Sequence, residues 1–246
     1  MRLDKFLANS RIGTRKEVKI ILKKGKIKVN EKIVKDAKMQ VDEIKDDVKL
    51  EGEKITYKPF VYIMMNKPSG VISATEDGKH KTVIDLLCEK YKNYKVFPVG
   101  RLDIDTEGLL LLTNDGVLAH NLLSPKKHVD KKYYVELKEP LTIEKKKILE
   151  NGIKLEENFV TKKAKIEIIN KDEDIEVNSV FITISEGKFH QVKRMFKFVE
   201  NEVLYLKRVK MGKLLLPENL KLGEYRELSE EEMDLILNQF CFSKNN

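Results

Sequence analysis

The residues best suited to chemistry lie in three short stretches. The richest runs Gly100-Arg101-Leu102-Asp103-Ile104-Asp105-Thr106-Glu107-Gly108 and on through Leu109-Leu110-Leu111-Leu112 to Asp115-Gly116. It follows a strand signal at Val96 to Val99, and loops at strand ends are where a rigid scaffold presents reactive groups. A carboxylate there can serve as a nucleophile or as a general base. The residues alone equally allow a polar turn that caps Leu109 to Leu112, and Asp115-Gly116 reads simply as a turn. The second stretch, Ile182 to Phe196, reads as strand, glycine turn and helix. Val192, Met195, Phe196 and Val199 recur at i, i+3, i+4 and i+7 as its buried face. Lys193 and Arg194 flank that face, where charges are most often merely solvated. The third is Lys131-Lys132-Tyr133-Tyr134-Val135. On a strand Tyr133, Val135 and Leu137 share one face, and Tyr134 and Glu136 the other; core packing is the ordinary fate of such a tyrosine.

Cofactor machinery is missing from the sequence. There is no phosphate-cradling Gly-x-x-x-x-Gly-Lys loop and no Gly-x-Gly-x-x-Gly. His120 and His128 are eight apart with no cysteine nearby, and Cys88 and Cys241 lack metal-ligand spacing. An enzyme built from this chain is expected to work with side chains alone, without cofactor or metal. The cysteine usage suits a reducing cytoplasm. The opening MRLDKFLANS lacks the apolar run of a signal peptide, and no stretch approaches the length of a membrane span. Nothing suggests a dimer seam, so a monomer is expected.

The elements that must position these residues fall into two parts. The chain has 246 residues, and its net charge of +8 is unevenly spread. Residues 1–35 hold twelve Lys/Arg against three Asp/Glu, a net +9, so the remainder carries −1. A surface that only aids solubility has no reason to concentrate its excess this way, whereas a phosphate-binding module does. Residues 3–8 read as a short helix, and Thr14-Arg15-Lys16-Glu17 as a capping box opening a second. Val18, Ile21 and Leu22 form that helix's buried face, with a glycine cap at Gly25. Arg15, Lys16, Lys19, Lys23 and Lys24 lie mostly opposite. Like charges so spaced repel, so an anion bound along the helix would relieve them. Strands are predicted at Lys26 to Val29, Lys32 to Val34 and Val48 to Leu50, and a linker at 51–59. Beyond it, strands at Val61 to Met65, Val96 to Val99, Tyr133 to Leu137, Lys165 to Ile169 and Val180 to Ser185 interleave with helices. Those are placed near Val83 to Tyr91, Leu118 to Leu123 and Ile143 to Asn151, and a last one starts at Ser229 with Glu232 completing a capping box. Phe242 to Asn246 reads as a frayed tail. This order favours an α+β fold: a small N-terminal αβ domain over residues 1–58, then a mixed, largely antiparallel-sheet domain over 59–246.

Met1-Arg2-Leu3-Asp4-Lys5-Phe6-Leu7 and Gly25-Lys26-Ile27-Lys28-Val29-Asn30 resemble phrases of the S-four RNA-binding domain. Gly100-Arg101-Leu102-Asp103-x-x-Thr106-x-Gly108-Leu109-Leu110 resembles the catalytic motif of the RsuA-type pseudouridine synthases. The resemblance extends over nearly the whole chain, including Asn66-Lys67-Pro68-Ser69-Gly70 and Gly223-Glu224-Tyr225-Arg226-Glu227-Leu228. It implies that Asp103 is the catalytic carboxylate and that Tyr133, rather than Tyr134, lies against the target base. It implies that Lys193 pairs with the aspartate; a cation nearby keeps a carboxylate beside a base ionised. Arg101 is expected to brace the loop or hold a phosphate. Asp105 varies in the wider family and is left out of the catalytic set, and Lys210 stands where relatives often carry arginine. The N-terminal module, through Arg2, Lys5, Arg15, Lys16, Lys19, Lys23 and Lys24, would grip RNA without reading bases.

The implied reaction is the isomerisation of a uridine to pseudouridine, which is redox-neutral and needs no cofactor. Lys193, within Lys-Arg-Met-Phe, resembles the small-subunit branch, which implies 16S ribosomal RNA and the site called pseudouridine-516. The substrate is that RNA, free or in an assembling pre-ribosomal particle. The same chemistry on 23S ribosomal RNA is the near alternative. A glycosidase-like hydrolase would need a second carboxylate, for which only Asp105 is placed. A non-catalytic RNA-binding assembly factor would share the basic module.

Overall fold

The capping box read at Thr14 is formed: Thr14 N donates to Glu17 Oε2 at 2.7 Å and Glu17 N to Thr14 Oγ1 at 3.3 Å. It opens the second helix of a computed structural model that describes residues 1–169 and 178–241. The chain divides into two units, Met1–Val61 and Tyr62–Asn246.

In the first unit, helices α1 (Leu3–Asn9) and α2 (Arg15–Lys23) precede four short antiparallel strands. These are β1 (Ile27–Val29), β2 (Lys32–Ile33), β3 (Val48–Leu50) and β4 (Glu53–Lys54), in the order β2-β1-β3-β4. Leu3, Phe6 and Leu7 of α1 pack with Val18 and Leu22 of α2 over Ile27, Val29 and Val48. The predicted linker at 51–59 is mostly part of this unit. β4 pairs with β3, Ile55 N donates to Val48 O at 2.7 Å, and the Tyr57 ring stacks on Phe6 at 5.4 Å. Glu51 and Gly52, both at positive φ, make the reversal that polar composition alone disguised as a tether.

The second unit contains strands β5 (Tyr62–Lys67), β6 (Phe97–Pro98), β7 (Glu107–Thr113), β8 (Lys131–Leu137), β9 (Lys154–Glu156), β10 (Phe159–Val160) and β11 (Lys165–Ile169). β12 (Ser179–Ile184), β13 (Val203–Met211), β14 (Leu214–Leu215) and β15 (Tyr225–Glu227) complete the set among the described residues. Its helices are α3 (Glu89–Lys92), α4 (Gly116–Leu123), α5 (Ile143–Asn151), α6 (Gln191–Phe198) and α7 (Glu230–Cys241). The large sheet runs β11-β12-β8-β13-β7-β5-β15, with β14 on β13 and β6 on β7. Among the described residues only the β13–β7 pair in it is parallel, so the sheet is mixed and largely antiparallel, as predicted.

The apolar run after Gly108 is the interior strand β7, buried at every position because both sheet faces are covered there. Strand β8, on the other side of β13, alternates as its sequence does. Leu109, Leu111 and Met64 pack with Leu118 and Leu122 of α4 and Ile236 of α7. Asp115-Gly116 is more than a turn: Asp115 Oδ1 accepts from Val117 N and Leu118 N, each at 3.0 Å, and so caps α4. The helix predicted over Val83 to Tyr91 shrinks to α3. Asp85 Oδ2 accepts from Thr82 N at 2.7 Å and Thr82 Oγ1 at 2.9 Å, a local closure that competes with helix. The Ser229–Glu232 capping box forms. The tail predicted at Phe242 to Asn246 lies outside the described residues.

Candidate active site

The loop between β6 and β7 is held in place from below. Val99 N donates to Leu111 O at 2.7 Å, which fixes its start. Ser73 Oγ donates to Leu102 O and accepts from Leu102 N, both at 3.0 Å, and Gly70 N donates to Ile104 O at 2.8 Å. The strongest brace is Lys67, the last residue of β5, which is fully buried. Its ammonium donates to Thr106 O at 2.9 Å, Pro68 O at 3.0 Å and Ile104 O at 3.3 Å. Burial pushes the Lys67 pKa down to about 8, against the pull of Asp105, Glu107 and Asp103. Thr106 N then donates to Asp103 O at 3.1 Å and closes the turn that carries Asp103. Sequence reasoning gave Lys67 no role. The available signal was a lysine directly following the apolar run Val61 to Met65, which places an ammonium at the end of a buried strand.

Asp103 is half-buried and faces the N-terminal end of α6. His190 Nε2 stands 3.6 Å from Asp103 Oδ1 and Lys193 Nζ 3.8 Å from Oδ2. His190 is the N-cap of α6 and Lys193 lies three residues on, so helical spacing puts both on the same side. Lys193 is nearer to Asp105 than to its predicted partner, donating to Oδ1 at 2.5 Å and Oδ2 at 2.6 Å. Burial raises the Asp105 pKa, but the Lys193 ammonium outweighs it and the carboxyl ends below its ordinary value. Lys193 thus bridges two aspartates on one loop, one closely and one at a distance that a small side-chain shift would close. His190 was not foreseen. A lone histidine before a helix carries little sequence signal, and its backbone, at φ 49° and ψ 31°, is in the left-handed region.

The sheet sets the rest of the site in register. Gly108 pairs with Arg208, and Arg208 with Tyr133 on the next strand. Tyr133 is buried on the face it shares with Val135 and Leu137. Gly108, at φ +102°, lies so close to β13 that a Cβ there would run into the Arg208 backbone. Arg208 is itself buried, and its Nε donates to Leu109 O at 2.7 Å. Arg101 is exposed and makes no ion pair or hydrogen bond among the described residues; Lys67 and Ser73 do the bracing. Among the described residues, no group of three His, Cys, Asp or Glu side chains is arranged to hold a metal ion.

In the first unit Lys5, Arg15, Lys16, Lys19, Lys23 and Lys24 are exposed and form no ion pair among the described residues. Arg2 differs. Its guanidinium grips the buried Asp4 carboxylate at 2.7 and 3.1 Å. Burial pushes the Asp4 pKa up, yet the combined pull of Arg2, the Lys5 amide and Arg15 leaves it lowered. No described helix is long and apolar enough to cross a membrane.

Residues 61–198 match the RNA pseudouridylate synthase family and residues 1–48 the S4 domain. An RNA pseudouridine synthase of Bacillus subtilis (strain 168) is 53% identical over 96% of this chain and 98% of its own. The ribosomal small subunit pseudouridine synthase A of Vibrio vulnificus is 41% identical over 96% of this chain and 99% of its own. A crystal structure of a pseudouridylate synthase superposes with a TM-score of 0.66 at 37% identity, covering 96% and 99% of the two chains. With the aspartate motif on a braced loop, the family's fold beneath it and an S4 domain ahead of it, the chain belongs to the RNA pseudouridylate synthase family.

Proposed function

We propose that the protein isomerises a uridine of small-subunit (16S) ribosomal RNA to pseudouridine, at the position called 516, with Asp103 as its catalytic carboxylate. The observation that carries the chemistry is the placement of Asp103 on a loop fixed by buried hydrogen bonds, with His190 and Lys193 facing its two oxygens. The substrate rests on the 41% identity to a small-subunit synthase over nearly the full chain.

The reaction breaks the bond between uracil N1 and ribose C1′, turns the base and rejoins it through C5. N1 gains a proton and C5 loses one, so no oxidant or reductant enters. Asp103 acts on the ribose, as nucleophile at C1′ or as base. Tyr133 lies against the uracil, and Lys193, paired with Asp105, sets a positive charge 3.8 Å from the Asp103 carboxylate. The uridine must leave its helical stack to reach them. Arg101, exposed at the loop, is free to take a phosphate. Asp105 is poorly suited to the acid role that a hydrolase would require, because a general acid needs a raised pKa and Lys193 lowers this one. The labour divides between the two units, Met1–Val61 and Tyr62–Asn246, three residues beyond the boundary expected at 58 and 59. The N-terminal domain holds RNA through Lys5, Arg15, Lys16, Lys19, Lys23 and Lys24, with Arg2 contributing only its outward face, and the rest does the chemistry in the cytoplasm where ribosomes assemble.

The test is to incubate the protein with 16S and 23S transcripts, and with 16S in partly assembled particles, without cofactor. Pseudouridines are then mapped by chemical blocking and primer extension. A single new stop in 16S is expected, lost with Asp103→Asn by a factor of about 10² to 10⁴ in rate or more. A stop only in 23S overturns the substrate, and binding without any stop overturns the enzyme.

A further inference from the structure

Phe189 precedes the N-cap of α6 and is 73% exposed. Single exposed apolar residues are common and need no function. Three observations set this one apart. Its ring stacks on His190 at 3.8 Å between centroids and 17° between planes, and His190 Nε2 is 3.6 Å from the Asp103 carboxylate. The segment that carries it is braced. Buried Gln191 accepts from Lys188 N at 3.0 Å and donates to Glu186 Oε1 at 2.8 Å. Arg194 donates to Phe189 O at 3.4 Å and Leu155 O at 3.3 Å, and pairs with Glu156 at 2.7 Å. Finally, His190 is held in the left-handed region, which a side chain with a Cβ adopts at a cost and which persists where the surroundings impose it.

We propose that Phe189, stacked on His190 beside Asp103, is the platform on which the nucleobase next to the target uridine stacks while that uridine is out of the helix. The inference rests on the RNA-modifying reading above and adds a binding subsite to it. One face of the Phe189 ring is taken by His190, and the ring is flanked by exposed Gly187 and Lys188. That leaves the other face of the ring open, an area that suits a single base. Extruding a uridine strips its neighbour of a stacking partner, and the platform replaces it at the place where the loss occurs. Because stacking accepts any base, Phe189 adds affinity without setting sequence.

The experiment uses the full-length protein and a 16S fragment spanning the target, with 2-aminopurine at one neighbour of the uridine or the other. Binding by the wild type is expected to change the fluorescence at one of the two positions. Phe189→Ala abolishes that change and raises KM about tenfold or more, with a much smaller effect on kcat, and Phe189→Tyr restores both. An unchanged KM and fluorescence response in Phe189→Ala overturns the platform, as does a fall in kcat alone. Failure of the wild type to make pseudouridine is a separate outcome that strikes the enzyme reading. The fluorescence comparison, which needs only binding, still decides whether a base stacks on Phe189.

Discussion

On α2 the ammonium groups of Lys16, Lys19 and Lys23 stand in solvent without an ion pair among the described residues. Around the Asp103 loop exposed Arg101 is the exception among cations that are engaged: Lys67 on three carbonyls, Lys193 on Asp105, Arg194 on Glu156 and Arg208 on Leu109 O. Both regions are rich in positive charge, and the charge does different work in each. A helix row of unpaired lysines keeps its electrostatic free energy for a partner that brings its own anions. A cation already bonded to backbone oxygens contributes geometry and has little left for a phosphate. The first kind can be removed without disturbing the fold, and the second cannot.

The sharpest way to break this contrast is Gly108→Ala. The methyl would meet the Arg208 backbone in a parallel pair that cannot widen without losing register, and at φ +102° any side chain is strained. A loss of about 3 kcal/mol or more is expected, read as the shift of the urea midpoint at unchanged slope. Lys67→Met comes next. It fills the same volume but leaves the Pro68, Ile104 and Thr106 carbonyls without their donor, for a loss of about 2 kcal/mol and a larger loss of activity from a loosened loop. It also has a pH signature. With its pKa at about 8 when folded and near 10.5 when unfolded, Lys67 binds fewer protons in the native state across that window. Its contribution therefore makes stability rise with pH from about 8 to 10.5. Lys131, also pushed down to about 8 by burial and then by Arg208, adds a rise of the same sign. Unfolding curves taken across that window should show a shallower rise for Lys67→Met than for the wild type.

The smallest effect on the fold belongs to Lys19→Ala combined with Lys23→Ala. Stability should stay within about 0.5 kcal/mol, while RNA affinity falls and the slope of log K against log salt flattens by about one for each phosphate that is no longer neutralised. An unchanged slope would remove α2 from the RNA interface and leave its charges unexplained.

What the sequence disclosed followed from how local the signal was. The Thr14 capping box, the α6 face of Val192, Met195 and Phe196, and the alternation of β8 are patterns within one element, and each formed as read. The Asp103 motif was legible because its residues are contiguous. The roles of Lys67, His190 and Asp105 were not, since they depend on β5 and α6 arriving at the same loop from 36 residues before Asp103 and 87 after it. The helix predicted at Val83 failed for a local reason of the opposite kind, a side-chain closure between Thr82 and Asp85 that apolar spacing does not register.

The parallel pairing of Gly108 with Arg208 joins residues 100 positions apart. During synthesis at about 5–20 residues per second, roughly 5–20 s pass between the emergence of the aspartate loop and of the strand that flanks it. The first unit, closed by residue 61, has all its pairing partners long before then. A nascent chain is thus able to hold its first quarter folded while the second unit is still an open sheet edge. The Asp103 loop gains its flanking strand only after more than four-fifths of the chain has been made.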